Sequence, residues 1–452
     1  VIPEQVQTDP NYSPDPIPDP DQLLSLAAAA NIIEMPVDRS TVHFYHQLLQ
    51  EYFAARELLK RGKSDLSGFG NLTGLWRWPW LESEMPPVEQ AKDSWEPLPP
   101  PPPTGWEETT ILAAGMAPDN DDQLGRALIE INPVLAGRCL YEGRPQVDPA
   151  LRQQVIDALL QTIARPEVAL RVRIAAGEVL GYLGDPRLGQ VVTISAGKFR
   201  MGDNKGRDNE KPQHELFLPD YQIGRYPLTN AEFAHFIEAG GYHDQRWWTE
   251  AGWREKEKPT FEAEPWTEPR WWDDADYNKP NHPVVGVSWY EILAFCRWLS
   301  AETGRSYRLP SEAEWEKAAR GRDGRQHPWG NKFEARRLNA FEGSQPVHAT
   351  TPVGIYPTGV SPFKVFDCAG NVWEWCATKA GEHFMNPKFK AYPYDIDEDE
   401  WLEAYLNGTD IRALRGGTYI SGEDDTRCTI RVRNSPYFRD RLNGFRLLVA
   451  PI

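Results

Sequence analysis

The hydrophobic pattern changes its period between Leu188 and Val191, and this change limits the possible folds more than any other feature of the chain. Upstream, "ALRVRIAAGEVLGYLGDPRL" (Ala169 to Leu188) places apolar residues at helical steps and stops at Gly-Asp-Pro. Downstream, "VVTISAGKFRMGD" (Val191 to Asp203) alternates apolar and polar residues around glycine, as a half-buried strand does. One face recurs about every 3.6 residues in a helix and every second residue in a strand, so one packed layer does not serve both. The chain therefore reads as an all-α solenoid-like unit at 22–188 and an α+β unit at 189–452. A Pro/Asp-rich stretch at 1–21, expected to be extended or disordered, precedes them.

In the helical unit, "VHFYHQLLQEYFAARELLKRG" (Val42 to Gly62) carries Phe44, Leu48, Tyr52, Ala55 and Leu59 on one predicted face. His43 and His46 lack a third ligand and read as packing or capping residues. Gly62-Lys63-Ser64 imitates the end of a phosphate loop, but Glu57 stands where that loop needs glycine, so no nucleotide is expected. The Trp/Pro-rich connection at 66–106 should pack along a surface through its rings. Helical patterns then return in "WEETTILAAGMA", "DQLGRALIEINPVLAGRCL" and "PALRQQVIDALLQTIA".

Composition removes several classes of function. A formal charge of −17 disfavours nucleic-acid phosphate as partner. The five cysteines show no CxxC pair and no Cys/His ligand spacing, so buried free thiols in a reducing cytosol are expected. The longest apolar stretch, around Leu23 to Ile33, is too short to span a membrane, and the protein is expected to be cytoplasmic. A chain beginning at Val1 is also read as a fragment of something longer.

The helical unit resembles two known elements. "HFYHQLLQEYFAARELL" is similar to the stretch near the end of NACHT-type signalling ATPases, and "RIAAGEVLGYLGDPR" is similar to a HEAT repeat. The resemblance implies a helical scaffold whose ATPase core would lie upstream of Val1.

In the second unit, "TNAEFAHFIEAGG", "SWYEILAFCRWLSAETG" and "RLPSEAEWEKAARG" each begin on a hydroxyl cap, with Glu291 and Glu314 placed to complete the boxes of Ser288 and Ser311. "FRMG" at Phe199, "HPVVGVSWYEILAFCRWLS" at His282, "YRLPSEAEWEKAARG" at Tyr307, "PVGIYPTGVSPFKVFDCAGNVWEW" at Pro352 and "RGGTY…NGFR" at the end resemble the formylglycine-generating-enzyme-like (sulfatase-modifying factor) family. That resemblance implies a C-type-lectin-like fold with two helices, little regular sheet and long loops.

Three activities occur within the resemblance. The enzymes oxidise a substrate cysteine using two active-site thiolates that hold Cu(I) shortly after the glycine pair, whereas "GGTYISGEDDTR" has no cysteine before Cys428. Sulfoxide synthases need an iron-binding histidine triad, which His43 and His46 do not supply. Variable proteins of diversity-generating retroelements end in a similar Arg-Gly-Gly segment, a variable stretch and Gly-Phe-Arg. Between Thr418 and Asn443 only Glu423 lies outside the residues that adenine mutagenesis reaches.

The leading expectation is accordingly a non-enzymatic diversified binder of an unknown protein or other macromolecule, acting as the sensor end of a signalling ATPase. Its contact residues would be Tyr419, Ile420, Ser421, Asp424, Asp425, Thr426, Asn434, Ser435, Tyr437, Phe438, Arg439, Asp440, Arg441 and Asn443, with the 418–443 interior exchangeable at little cost in stability. Arg415, Cys428, Arg431 and the Gly-Phe-Arg close would be scaffold. The alternative is a formylglycine-generating-type oxidase acting on a peptide cysteine. No cofactor is required by the leading reading. The resemblance implies a structural Ca2+ at Asn371, Val372 and Glu374, with a buried hydrogen-bonding Glu374 as the competing account.

Overall fold

The computed structural model describes residues 33–34, 43–44, 47–64, 69–88, 96–119, 121–381 and 406–449. The Pro/Asp-rich stretch at 1–21 lies outside them. Two short strands, β1 (Ile33–Glu34) and β2 (His43–Phe44), pair antiparallel ahead of helix α1 (Gln47–Ser64). This helix starts five residues later than the pattern suggests, because His43 and Phe44 are taken into the strand pair. Its buried face also differs, with Ala55 and Leu58 enclosed and Leu48 74% exposed.

Helices α2 (Glu107–Met116), α3 (Gln123–Ile129), α4 (Pro133–Tyr141), α5 (Pro149–Ala164) and α6 (Leu170–Leu183) complete the helical unit. The Asn132 and Asp148 side chains cap α4 and α5, each followed by proline in the first turn. The Trp-rich connection packs through its rings, as their polar edges show. Trp76 donates to Thr110 Oγ1 at 2.9 Å, Trp78 to Pro102 O at 2.6 Å and Trp80 to Ile131 O at 3.1 Å.

The second unit mixes short strands with helices. Strands β3 (Val191–Ile194), β6 (Tyr221–Gly224), β12 (Leu448–Val449) and β7 (Tyr307–Arg308) form an antiparallel sheet in that order, and β4 (Gly197–Met201) pairs with β5 (His214–Leu218). A second sheet runs β10 (Val432–Asn434), β9 (Ile411–Arg415), β8 (Trp373–Gly381), β11 (Asn443–Gly444). Its last pair, β11 with β8, is parallel. Helices α7 (Asn230–Glu238), α8 (Glu250–Glu257), α9 (Trp289–Thr303) and α10 (Glu312–Arg320) pack around these sheets. The capping boxes at Ser288/Glu291 and Ser311/Glu314 form, and Thr229 with Glu232 makes a third.

Aromatic rings fill the core. Phe233 stacks on Phe295 at 5.1 Å, and Phe445 of the terminal Gly-Phe-Arg meets both edge-on. Such ring pairs add about 0.5–1.5 kcal/mol each beyond the area they bury. The division at Leu188 is not a division of the core. Val347, Ile355 and Tyr356 of the second unit belong to the same apolar cluster as the faces of α4, α5 and α6.

Candidate functional site

The segment from Arg415 to Arg446 is fixed by buried ion pairs. Arg415 joins Glu316 and donates to the carbonyls of Cys428, Thr429 and Ile430. Arg431 grips Glu312 at 2.6 and 2.8 Å. Arg446 reaches both oxygens of Glu374 at 2.5 Å. Glu312 and Glu316 lie on α10, so that helix carries the counter-charges for a segment a hundred residues further on. Gly416 and Gly417 both have positive φ, and a Cβ on Gly417 would stand 2.6 Å from the Asp425 carbonyl, so the pair is required by the turn.

Asn371 organises the start of the segment. Its carbonyl accepts from Tyr419 N and Thr418 Oγ1 at 3.1 Å, while its Oδ1 accepts from Thr351 N and Asn339 Nδ2. Thr418 N donates to Ser421 Oγ, which turns that hydroxyl inward, and the Ser421 carbonyl accepts from Phe341 N. The Tyr419 phenol, thus positioned, stands 3.4 Å from that of Tyr277. Burial, reinforced by Tyr277, pushes its pKa far above the ordinary phenol range, against the pull of Arg441. A phenol so held stays protonated and serves as a hydrogen-bond donor. The Tyr277 ring also lies against Trp271 at 6.0 Å.

Of the expected contact residues, the fold exposes Ile420, Asp424 and Arg441. Asp425, Asn434, Ser435, Tyr437, Phe438 and Asp440 are half-buried. Asp425 pairs with Arg207 at 2.7 Å, and the Tyr437 ring lies 5.6 Å from Phe261. Tyr419, Ser421, Thr426, Arg439 and Asn443 are buried. Arg439 points into the core against Glu291, Glu262 and the Trp266 ring, a geometry of scaffold and not of a contact anchor. Tyr419, Asp440 and Arg441 share one neighbourhood, whereas the Asp424–Thr426 turn is held apart by Arg207 and by its own backbone. Tyr277 was not among the expected residues. It sits in the aromatic "RWWDDADYNKP" stretch, whose composition marks a loop and singles out no member.

Neither implied metal fits the residues present. The Glu374 carboxylate is taken by Arg446 and by Trp315 Nε1 at 2.7 Å, and the Asn371 oxygens are filled by the bonds above. Of the residues expected to hold Ca2+ (Asn371, Val372 and Glu374), Asn371 and Glu374 thus have their oxygens engaged in hydrogen bonds and an ion pair. Cys428 is fully buried, with burial pushing its thiol up to about 12, and burial raises Cys368 further. All five cysteines are buried free thiols, so a paired, accessible Cu(I) dithiolate is not formed by them. Among the described residues no cluster of three or more His, Cys, Asp or Glu suits a metal ion, and no helix is long and apolar enough to cross a membrane.

The mixed helix and sheet unit, pinned by arginine–carboxylate pairs around a two-glycine turn, defines a sulfatase-modifying type of domain. Residues 183–451 match the model of the sulfatase-modifying factor enzyme 1-like domain, and the chain belongs to that family. It is 34% identical to the hercynine oxygenase of Mycolicibacterium thermoresistibile over 53% of each chain. It is 32% identical to the formylglycine-generating enzyme of Thermomonospora curvata, covering 58% of this chain and 94% of that protein. It is 30% identical to the inactive C-alpha-formylglycine-generating enzyme 2 of Bos taurus, over 58% of this chain and 89% of that one. The chain spans about half the length of the hercynine oxygenase it matches.

These relatives correct the leading expectation. Proteins 31–34% identical to the chain are named hercynine oxygenase and formylglycine-generating enzyme, which favours an enzymatic domain over a non-enzymatic diversified binder. The absence of a cysteine between Gly416 and Cys428 removes one way of holding a metal and not the reaction class.

Proposed function

We propose that the chain is an oxidative modifying enzyme of the formylglycine-generating type, which uses oxygen to oxidise a cysteine-bearing peptide laid across the Tyr277–Tyr419 face. The reading is carried by the 32% identity that extends over 94% of the Thermomonospora curvata enzyme. Geometry supports it through two phenols at 3.4 Å, beside exposed Ile420 and Arg441, which give a substrate hydrogen-bonding groups, apolar contact and a cation. The residues of this chain bind and orient substrate. No step is assigned to a thiolate-held metal. In this reading the second unit has the C-type-lectin-like arrangement, and the helical unit, with its HEAT-like stretch, attaches it to a NACHT-type ATPase.

The test is oxygen uptake and peptide mass, measured with a cysteine-containing peptide in the presence of Cu(I) or Fe(II). Turnover is expected, falling at least tenfold in Tyr277→Phe and Tyr419→Phe while folding is kept. Turnover of hercynine in place of the peptide would change the substrate and keep the oxidative class. No uptake with either substrate and either metal would overturn the proposal.

A further inference from the structure

A cavity of about 330 Å3 lies where the helical unit meets the second unit, between α6 and the 334–358 loops. Arg173 of α6 lines it and is only 7% exposed. Its guanidinium donates to the carbonyls of Val168 and Ile355 and has no carboxylate within ion-pair distance among the described residues. Burial draws this arginine below its ordinary range, against the field of Glu82, which lines the same cavity short of ion-pair distance, and the guanidinium lies 5.7 Å over the Tyr356 ring. Arg336 and Arg337 line the same space; Arg337 is offset by Glu334 at 2.7 Å, and Arg336 stands exposed.

Two neutral groups are also left incomplete. The Tyr356 hydroxyl, on a side chain 4% exposed, has no hydrogen-bond partner, and neither does Gln345 Oε1. Both residues line the cavity. Buried polar atoms of this kind are nearly always satisfied, so two of them beside three arginines and two glutamates point to a polar occupant. An occupant with negative charge for the arginines, which outnumber Glu82 and Glu334 in the lining, an acceptor for Tyr356 and a donor for Gln345 would complete the site. The apolar walls of Val168, Leu170 and Leu338 leave room for a carbon skeleton, in a volume at the small end of ligand pockets.

We propose that this junction is a binding site for a small hydroxylated organic anion, a phosphate or carboxylate, held by Arg173, Arg336 and Tyr356. Because Arg173 bonds Ile355 across the junction, the ligand would tighten the helical unit against the second unit. The site shares no residue with the Tyr277–Tyr419 face.

Thermal unfolding of the whole chain, with inorganic phosphate, citrate or ribose 5-phosphate added at millimolar concentration and matched ionic strength, tests the proposal. At least one of the two organic anions should raise Tm by a few degrees more than sodium chloride. Inorganic phosphate, which lacks the carbon skeleton, should do less. Arg173→Met should abolish the response, with any fall in Tm without ligand reflecting the lost bonds to Val168 and Ile355. Tyr356→Phe should weaken the response and leave the unliganded Tm unchanged. If Arg173→Met fails to fold, Tyr356→Phe and Arg336→Ala carry the same test. An absent response in the parent chain, or an equal response in parent and variants, would overturn the proposal.

Discussion

Arg446 and Glu374 meet with neither side chain open to water, and the Trp315 indole adds a third bond to the same carboxylate. Breaking such a pair leaves one charge buried alone, at a cost of about 3–5 kcal/mol. Glu374→Gln should therefore lower Tm strongly in calorimetry, and a near-neutral result would contradict the ion-pair account. Asp367 differs, because burial first and the neighbouring Glu374 next raise its carboxyl to about 6 from 3.8. The folded protein then binds the proton more tightly than the unfolded chain, so stability from this group is full below about pH 3.8 and lost as pH rises through about 6. Asp367→Asn, which keeps an acceptor for Gly354 N and suits the positive φ, should gain Tm over the parent from pH 4 to pH 6.5, with the gap constant above. Residue roles were legible where a motif closes locally. The Ser288 and Ser311 boxes needed only a carboxylate three residues on. Tyr277 was not legible, because its partner lies 142 residues away and nothing in an aromatic loop marks one ring above the others.

At the scale of elements, the carboxy-terminal segment divides into a pinned frame and a few free positions. Cys428, Arg431 and Arg439 are inside the fold, so replacing 418–443 as a block should unfold the domain, contrary to the exchangeability expected from sequence. Joint substitution of Ile420, Asp424 and Arg441 should leave Tm within about 2 °C, since exposed positions rarely exceed about 0.5 kcal/mol each. Circular dichroism melts of the two variants separate these outcomes. The alternation of polar and apolar residues showed that strands were present, but it did not show which side chains the frame turns inward. That depends on α10, whose Glu312 and Glu316 capture arginines far along the chain. Helix α1 shows the same limit, since its apolar stripe was visible while the buried face centres on Ala55 and Leu58.

Across the whole molecule, helix α6 ends at Leu183 and strand β3 begins at Val191, but the change of period between them says nothing about how the two parts are joined. Lys279 pairs with Glu178 of α6 at 2.6 Å, and Asn281 reaches Gly177 O and Asp185, so α6 holds the loop that presents Tyr277. Glu178→Gln should raise KM for whatever substrate the face takes, with kcat changed less, as measured by steady-state kinetics. The shared apolar cluster of α4 to α6 with Val347, Ile355 and Tyr356 also bears on how such a chain can be rearranged by gene recombination. A crossover at the visible break would strip a hydrophobic flank from the donated module. Exchange that keeps the module soluble has to carry α6 along, or arrive with a substitute for its face.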